Sequence, residues 1–319
     1  MKRQMLLLAA LLMVGLGAWA QKAEQKFNPK KFQVFAVGFY NQENLFDTCH
    51  DAGKNDYEYL PAKGWNSEKY TSKLKNMSRA LADMGTDVLP DAGCAFIGLA
   101  EVENANVLKD LTAQPPLKAR NMQFCHIEGP DKRGIDCALL YNPALFTVKN
   151  VKLVPYVQEL AKDSAFYTRG FLTVRGEMAG DDVAVIVCHW PSQFSGSFYR
   201  ESGARQTKAV KDSLLRLNPE MKVFVMGDMN DDPTSKSMYE VLRAQPEISE
   251  VGEGDMYNPW YNILAKEEKG TLYYRGKWNL FDQIVLTPNL LNKDGKKKGY
   301  RSLKYWNHQV FRRDYLIQQ

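Results

Sequence analysis

The sequence predicts an α/β protein in which two mixed β-sheets pack face to face and helices cover the outside. Apolar, strand-like runs recur along the whole chain, and helix-like segments lie between them without strict alternation. Strict alternation would indicate a doubly wound parallel sheet, whereas several of these runs are close enough for antiparallel connections. Apolar residues make up 45% of the 319 residues, and no repeat, low-complexity tract or linker divides the chain. We therefore expect one large domain.

The predicted strands are mostly apolar runs bounded by turn residues. They lie at residues 33–39, 94–99, 136–141, 145–154, 170–175, 183–188, 223–226 and 280–286. The first run alternates poorly between apolar and polar residues, as a strand covered on both faces does. Asn142-Pro143 and Asp181-Asp182 are turn signals beside strands.

Helices are predicted where apolar residues recur at three- and four-residue steps. Residues 66–84 show this spacing most clearly, with Asn66 or Ser67 as the N-terminal cap and Gly85 at the end. Further helices are predicted at residues 102–111, 200–217 and 234–243, and residues 305–317 form an amphipathic, helix-like stretch.

The first 20 residues have the pattern of a secretory signal peptide. Lys2 and Arg3 precede an apolar stretch, and Ala18-Trp19-Ala20 is a small-x-small cleavage pattern. A retained N-terminal anchor is the alternative. We expect an exported protein, periplasmic or extracellular, with residues 27–319 as its domain and no transmembrane segment in the mature chain.

Charge and cysteine content exclude little but set two expectations. Cleavage would remove Lys2 and Arg3 and lower the formal charge from +5 to +3, which is too weak to predict nucleic-acid binding by itself. The five cysteines are odd in number and include no CxxC pair, so a disulfide framework is not expected. Cys94, Cys137 and Cys188 lie in apolar runs and are expected to be buried.

Four predicted strands end in an acid, an amide or a histidine. These polar strand ends are Asn41 with Glu43, Glu101, His189, and Asp228 with Asn230. One such end means little, because polar residues often close strands. Bringing four such strand ends together would cost free energy unless a cation and a phosphate bound among them.

The strongest single motif is Gly227-Asp228-Met229-Asn230-Asp231-Asp232-Pro233. The glycine would let the strand leave its sheet sharply, so that Asp228 and Asn230 point into one cleft. The acid can orient or deprotonate a water, and the amide can donate to a phosphoryl oxygen. Asp231 and Asp232 are expected to cap the following helix.

The remaining candidates supply a cation site and anion contacts. Glu101 follows a buried strand, where a carboxylate is expensive unless paired or metal-bound, and hard oxygen ligands suit Mg²⁺. Glu43 is a second candidate ligand. His189 can donate to phosphoryl oxygens, and the buried-strand acid Asp282 could orient a histidine. Arg205 could reach an anion, although a solvated helix face explains it equally well.

Together these residues resemble the endonuclease/exonuclease/phosphatase superfamily of DNase I-like enzymes. The resemblance runs over most of the mature chain and rests on five segments. They are Asn41-x-Glu43-Asn44-Leu-Phe, Glu101-Val-Glu-Asn104, Arg133-Gly-Ile-Asp136-x-Ala-Leu-Leu-Tyr141, His189-Trp-Pro-Ser192 and Gly227-Asp-x-Asn-Asp231.

The resemblance implies a four-layer α/β/β/α sandwich that carries Mg²⁺ or Mn²⁺ at Glu101, with Glu43 and Asn41 nearby. It further implies that Asp228 positions the attacking water while Asn230 and His189 hold the phosphoryl group. No covalent enzyme intermediate would form during this in-line attack.

One element of the family pattern, a Ser-Asp-His triplet on a final strand, does not occur in the sequence. After Asp282 the remaining histidine is His308, which we interpret as structural. We therefore expect a chain that is short by one terminal strand and its loop. Asp282 would then lack the histidine it orients, which would lower the rate by about 10²–10⁴-fold.

Three functions remain open on this reading. The preferred one is a monomeric, metal-dependent phosphodiesterase that acts on nucleic acid and needs no stable protein partner. An inositol-phosphate or sphingomyelin-type phosphohydrolase would share the site, with Trp190, Phe194 and Phe198 either contacting lipid or lying in the core. A binding protein with impaired catalysis is the third.

Overall fold

The computed structural model describes residues 33–157, 167–293 and 301–316. The predicted signal peptide lies outside these residues and stays a prediction, as does the domain boundary at residue 27. The strands are β1 Ala36–Leu45, β2 Cys94–Val102, β3 Gln123–His126, β4 Asp136–Tyr141, β5 Thr147–Val154, β6 Phe171–Met178, β7 Asp181–His189, β8 Lys222–Asp228, β9 Ala244–Gln245, β10 Met256–Tyr257, β11 Leu272–Tyr274, β12 Lys277–Asn279 and β13 Asp282–Leu286. The helices are α1 Ser67–Asp83, α2 Ala105–Ala113, α3 Pro115–Lys118, α4 Ser197–Leu217 and α5 Trp260–Glu267.

Two large sheets carry most of these strands. The smaller has the order β1-β2-β4-β3, and the larger has the order β5-β6-β7-β8-β13-β10-β9. Both are mixed, because β1 runs parallel to β2 and β7 parallel to β8 while their other long neighbours are antiparallel. The predicted pair of mixed sheets is therefore confirmed. Strands β11 and β12 form a separate two-stranded hairpin.

The main hydrophobic core lies between the two sheets. Phe96 and Leu139 of the smaller sheet pack in one cluster with Val185 and Phe224 of the larger. The rings of Phe96 and Phe224 meet edge to face, with centroids 5.4 Å apart. An edge-to-face aromatic pair contributes free energy in addition to that of burying its surface. This contact therefore helps to fix how the two sheets face each other.

Two outer clusters place helices on the far face of each sheet. On the smaller sheet, Leu99 packs with Leu81 of α1 and Leu108 of α2. On the larger sheet, Ile186 packs with Ala204 of α4. Helix, sheet, sheet and helix therefore follow one another, as the four-layer prediction requires.

The helix caps explain where two helices begin. The Asn66 side chain accepts a hydrogen bond from the Lys69 amide, so α1 starts at Ser67 as predicted. The Asn104 side chain caps α2 by accepting from two amides. Val102 still pairs with Asp136 in the sheet, so α2 starts three residues later than the predicted 102.

The helix predicted at residues 234–243 is mostly absent. Only Ser237–Val241 is helical, and it is a π-helical turn. Asp231 and Asp232 do not cap it in the predicted way. Asp231 accepts one hydrogen bond from Ser237 Oγ and pairs with Arg200, while Asp232 accepts from the Leu280 amide.

The predicted helical stretch at residues 305–317 is also wrong for its described part. It is irregular except for a 3₁₀ turn at Asp314–Leu316. Tertiary contacts account for this: the Tyr305 amide donates to Leu290, and Arg313 pairs with Asp83 at the end of α1. Contacts of this kind outweigh a local amphipathic pattern.

Cysteine use agrees with the prediction. All five cysteines are free, and Cys94, Cys137 and Cys188 are buried. No helix among the described residues combines the length and apolar composition that crossing a bilayer requires.

Candidate functional site

The polar strand ends meet at one edge of the two packed sheets. In the larger sheet His189 on β7 and Asp282 on β13 both stand opposite Asp228 on β8. Across the gap between the sheets, the side-chain amide nitrogen of Asn41 donates to the Asp228 carboxylate over 3.0 Å. Glu101 Oε1 lies 3.8 Å from His189 Nε2. Residues that are far apart in sequence thus form one cluster.

The backbone is irregular where these side chains project. Glu43, Asn44, Glu101 and Asn230 all have positive φ, between 48° and 62°. The β1–β2 pairing also shifts register between Asn41 and Leu45. Such bulges and left-handed residues re-aim side chains and tend to cluster at functional sites.

Gly227 has a different role from the predicted sharp exit. Asp228 still pairs within the sheet, so the strand has not turned away. A Cβ at Gly227 would lie 2.1 Å from the Cys188 carbonyl oxygen. Glycine is therefore required because β7 and β8 approach closely just before His189 and Asp228.

Asp228 is held by two hydrogen bonds in a buried position. Its Oδ2 accepts from Asn41 and its Oδ1 accepts from the Asn230 amide. Burial raises the pKa of Asp228 and nearby Glu101 raises it further, while these hydrogen bonds and Arg169 act in the opposite direction. A carboxylate of raised basicity is suited to accept a proton from water.

His189 is buried and faces both carboxylates. Its Nε2 lies 3.8 Å from Glu101 and 3.9 Å from Asp228 Oδ2, and its Nδ1 is buried with no partner among the described residues. Burial lowers the pKa of His189 well below its usual value, and Arg169 and Arg133 lower it further. The ring is therefore neutral near pH 7 and can donate one hydrogen bond.

Asp282 completes the carboxylate cluster without the histidine expected beside it. Among the described residues, none of the four histidines forms an ion pair with it. His308 instead contacts the Tyr305 hydroxyl and packs edge-on against Trp260, which fits its predicted structural role. Burial raises the pKa of Asp282 well above its usual value, and Asp228 adds to the rise.

We expect Asp282→Asn to raise stability near neutral pH in the presence of EDTA. A raised native pKa means that the native state loses stability as pH climbs from the unfolded value, about 4, through the native value. Asparagine removes the charge that causes this loss. Thermal melts should show a higher Tm for the variant near pH 8, with the two curves converging near about pH 4. A Tm difference that does not change with pH would contradict this assignment.

Two cations that sequence reasoning missed also face the site. Lys73 of α1 donates to the Glu43 carbonyl over 2.5 Å. Arg169 pairs with Asp131 over 3.1 Å and donates to the Trp190 carbonyl, and its buried Nε has no hydrogen-bond partner in the part of the chain that the structure describes. Arg133, which begins the family-like segment Arg133–Tyr141, donates to the Asn44 side chain. No local pattern distinguishes Lys73 or Arg169 from ordinary surface cations.

Arg205 is not brought into this cluster. It is exposed on α4, with its guanidinium 5.7 Å from the Phe198 ring centroid. The arginine of α4 that reaches the site loops is Arg200, which pairs with Asp231 over 2.9 Å and donates to the Ser192 carbonyl. The assignment of Arg205 to phosphate binding stays a prediction.

The donor set suits a cation that keeps most of its water ligands. Glu101 is a nearly buried carboxylate at the strand end, while Glu43 is exposed. Within the described part of the chain, no three histidine, cysteine or acidic side chains group closely enough for a ready-made metal cluster. One or two carboxylates fit Mg²⁺, whereas structural zinc needs four ligands.

Fold and site together define a class, the DNase I-like α/β/β/α hydrolases that act on phosphoesters. The sequence profile described as "Endonuclease/Exonuclease/phosphatase family" matches residues 36–319. The chain belongs to this family. Its membership supports a phosphoester hydrolase at the level of reaction class.

Two solved structures with a TM-score of 0.50 show the same fold at low identity. A mannosyl-6-phosphatase from Bacteroides thetaiotaomicron is 14% identical, with a TM-score of 0.50 over 80% of this chain and 86% of that one. A functionally unknown conserved protein from Enterococcus faecalis is also 14% identical, with a TM-score of 0.50 over 78% and 86%. Truncated TDP2 from Caenorhabditis elegans is 15% identical, with a TM-score of 0.47 over 70% and 79%. No curated protein sequence matches this chain.

Proposed function

We propose that this protein is a metal-dependent phosphodiesterase, with nucleic acid as its preferred substrate. One observation carries the proposal: carboxylates from both sheets, Glu101 and Asp228, lie within 4 Å of the same nitrogen of buried His189. Acids held together beside a buried histidine are typical of catalytic centres.

Glu101 would hold Mg²⁺ or Mn²⁺, with Glu43 and Asn41 nearby. A divalent ion bound there supplies positive charge to a phosphoryl oxygen and lowers the cost of the charge that develops during attack. Its waters, rather than further protein ligands, would complete the coordination.

The side chains around the ion have separable roles in this proposal. Asp228 orients a water and accepts its proton, and Asn41 fixes the carboxylate through the 3.0 Å hydrogen bond. His189 donates to a phosphoryl oxygen as negative charge builds there. The side-chain amide of Asn230 donates one of its two hydrogens to the Trp190 carbonyl over 2.9 Å. This bond holds the side chain in place, so that its second hydrogen can reach the phosphoryl group. Lys73 and Arg169 contribute long-range positive charge.

The test combines hydrolysis with direct metal binding. We expect the purified chain to hydrolyse bis(p-nitrophenyl) phosphate or single-stranded DNA with Mg²⁺ and to stop when EDTA is added. Glu101→Gln should raise the Mn²⁺ concentration needed for half-saturation by at least about 10-fold, measured by electron paramagnetic resonance. Glu68→Gln, an exposed acid on α1, is the matched control. Hydrolysis undiminished by EDTA would exclude metal dependence.

A substrate panel separates the remaining candidates. Inositol phosphates, sphingomyelin vesicles and a sugar 6-phosphate are compared with nucleic acid under the same conditions. Faster turnover of any of these would replace the nuclease proposal while keeping the site. Tight binding of phosphoesters with background turnover would instead indicate a catalytically impaired binding protein.

We also infer an exported monomer that acts without a stable protein partner. Cell fractionation of the full chain and light scattering on the purified protein test these two points. Retention in the cytoplasm, or a mass of two chains, would contradict them.

A further inference from the structure

A small hairpin stands directly before Asp282 in the chain. Strands β11 and β12 pair with each other and join neither large sheet. Tyr273 faces Trp278 and Tyr274 faces Lys277 across the hairpin. Arg275 and Gly276 form the two-residue turn, with φ of 49° and 82°. Positive φ at both positions is the type I′ pattern that matches strand twist.

The hairpin exposes an unusual amount of apolar and aromatic surface. Every residue from 271 to 278 is exposed. Its large hydrophobic side chains include Tyr273, 59% exposed, Tyr274, 55% exposed, and Trp278, 41% exposed. A lone two-stranded hairpin is only marginally stable in water. A cluster of exposed rings on such an element indicates a binding surface.

The base of the hairpin is fastened to the catalytic loops. The Leu280 amide donates to Asp232 over 2.8 Å, and the Met229 amide donates to the Phe281 carbonyl over 2.8 Å. Thr271 receives a weaker hydrogen bond, 3.4 Å, from the Asp282 amide. Whatever the hairpin binds is therefore held at the rim of the Asp228–Asp282 site.

The chemistry of the hairpin favours a single-stranded polyanion with ring systems. Arg275 and Lys277 are cations, and residues 271–279 include no acid. The Arg275 guanidinium lies 5.2 Å from the Tyr274 ring centroid. The tip of the hairpin is thus charged, which opposes insertion into the apolar interior of a membrane. Aromatic side chains interleaved with cations are the usual platform for unpaired bases and their phosphates.

We propose that hairpin Leu272–Asn279 binds the single strand that flanks the scissile phosphate. Tyr274 on one face of the hairpin and Trp278 on the other each stack on a base as the strand passes around the exposed tip, and Arg275 and Lys277 contact phosphates. This inference rests on the proposed phosphodiesterase function and adds a recognition element to it.

Binding is tested on the full chain with Asp228→Ala, in Mg²⁺, so that the probe is not cut. The probe is a labelled single-stranded oligothymidylate, followed by fluorescence anisotropy. Tyr274→Ala and Trp278→Ala should each weaken binding by about 10- to 100-fold, whereas Tyr274→Phe keeps the ring and should bind as the parent does. Trp306→Ala, which removes a ring 69% exposed outside the hairpin, is the control.

Salt dependence tests the cations separately. Arg275→Gln and Lys277→Gln should each reduce the slope of log affinity against log salt concentration by about 0.7, the value for one phosphate on a single strand. Circular dichroism and Tm identify any variant that fails to fold. Unchanged affinity and slope in folded variants would overturn the role of the hairpin.

Activity distinguishes failure of this inference from failure of the proposed function. With Asp228 restored, Tyr274→Ala should lower the ratio of kcat/KM for oligonucleotide to kcat/KM for bis(p-nitrophenyl) phosphate by about 10- to 100-fold. An unchanged ratio in an active enzyme would reject the hairpin and keep the phosphodiesterase. No hydrolysis of any phosphoester would reject the phosphodiesterase. Hairpin-dependent binding to phosphatidylcholine vesicles, with none to the oligonucleotide, would assign the surface to lipid.

Discussion

Asp228→Asn should lower kcat for bis(p-nitrophenyl) phosphate by about 10²–10⁴-fold, the usual contribution of a positioned general base. Asparagine keeps an oxygen for the backbone amide of Asn230, but it loses the oxygen that accepts from Asn41 and cannot accept a proton from water. Burial raises the pKa of Asp228, so removing its charge offsets the loss of that hydrogen bond. The expected signature is therefore a large loss of rate with little change in Tm.

The control for this substitution is Asp110→Asn. Asp110 is an exposed acid on α2 that accepts a hydrogen bond from the Tyr70 hydroxyl, and asparagine can keep that bond. Its rate should equal that of the parent. If Asp228→Asn kept more than about a tenth of the parent rate, Asp228 would not be the general base.

Trp190→Ala should lower the free energy of unfolding by about 3–5 kcal/mol, the range for a fully buried aromatic residue. Trp190 is 1% exposed, its ring packs over Gly203 of α4, and its Nε1 donates to the buried Thr207 hydroxyl over 3.1 Å. The structure thus resolves an alternative from the sequence, because Trp190 is a core residue and cannot contact lipid. Urea denaturation of the full chain measures the effect.

Two further variants calibrate that result. Trp190→Phe keeps most of the packing but removes the indole N–H that donates to Thr207, so a smaller loss of about 1–2 kcal/mol is expected. Trp306→Ala, on a side chain 69% exposed, should change stability by less than about 0.5 kcal/mol. Equal losses for the buried and exposed tryptophans would contradict the packing described for α4 against β7.

Much of the fold and the core of the site could be read from the sequence because their signals are local. Each of Asn41, Glu101, His189 and Asp228 follows an apolar run, and strand pairing then places such ends at one sheet edge. Buried strands are also recognisable from their apolar composition, and helices from their spacing of apolar residues. These two patterns together predicted two packed sheets with helices outside.

The rest depends on contacts between distant segments, which a local pattern does not encode. Arg169 and Lys73 reach the site from a loop and a helix whose sequences resemble solvated surface. The stretch at residues 305–316 has helical periodicity, yet its hydrogen bonds and ion pairs to Leu290 and Asp83 hold it in an irregular path. Arg205 and Arg200 lie on one helix, and only the fold reveals that Arg200 is the one facing Asp231.

The contact between Gly227 and the Cys188 carbonyl has a consequence for the energetics of turnover. Since a Cβ at Gly227 would collide with the Cys188 carbonyl oxygen, the spacing of His189 and Asp228, the two candidate site residues that follow, is fixed by strand pairing rather than by flexible side chains. Little rearrangement should then be needed once a substrate arrives, which is how enzymes avoid reorganisation energy. Replacing Gly227, even with alanine, would push the two strands apart. The proposed hydrolytic rate should then fall, although every candidate site residue is still present in the sequence.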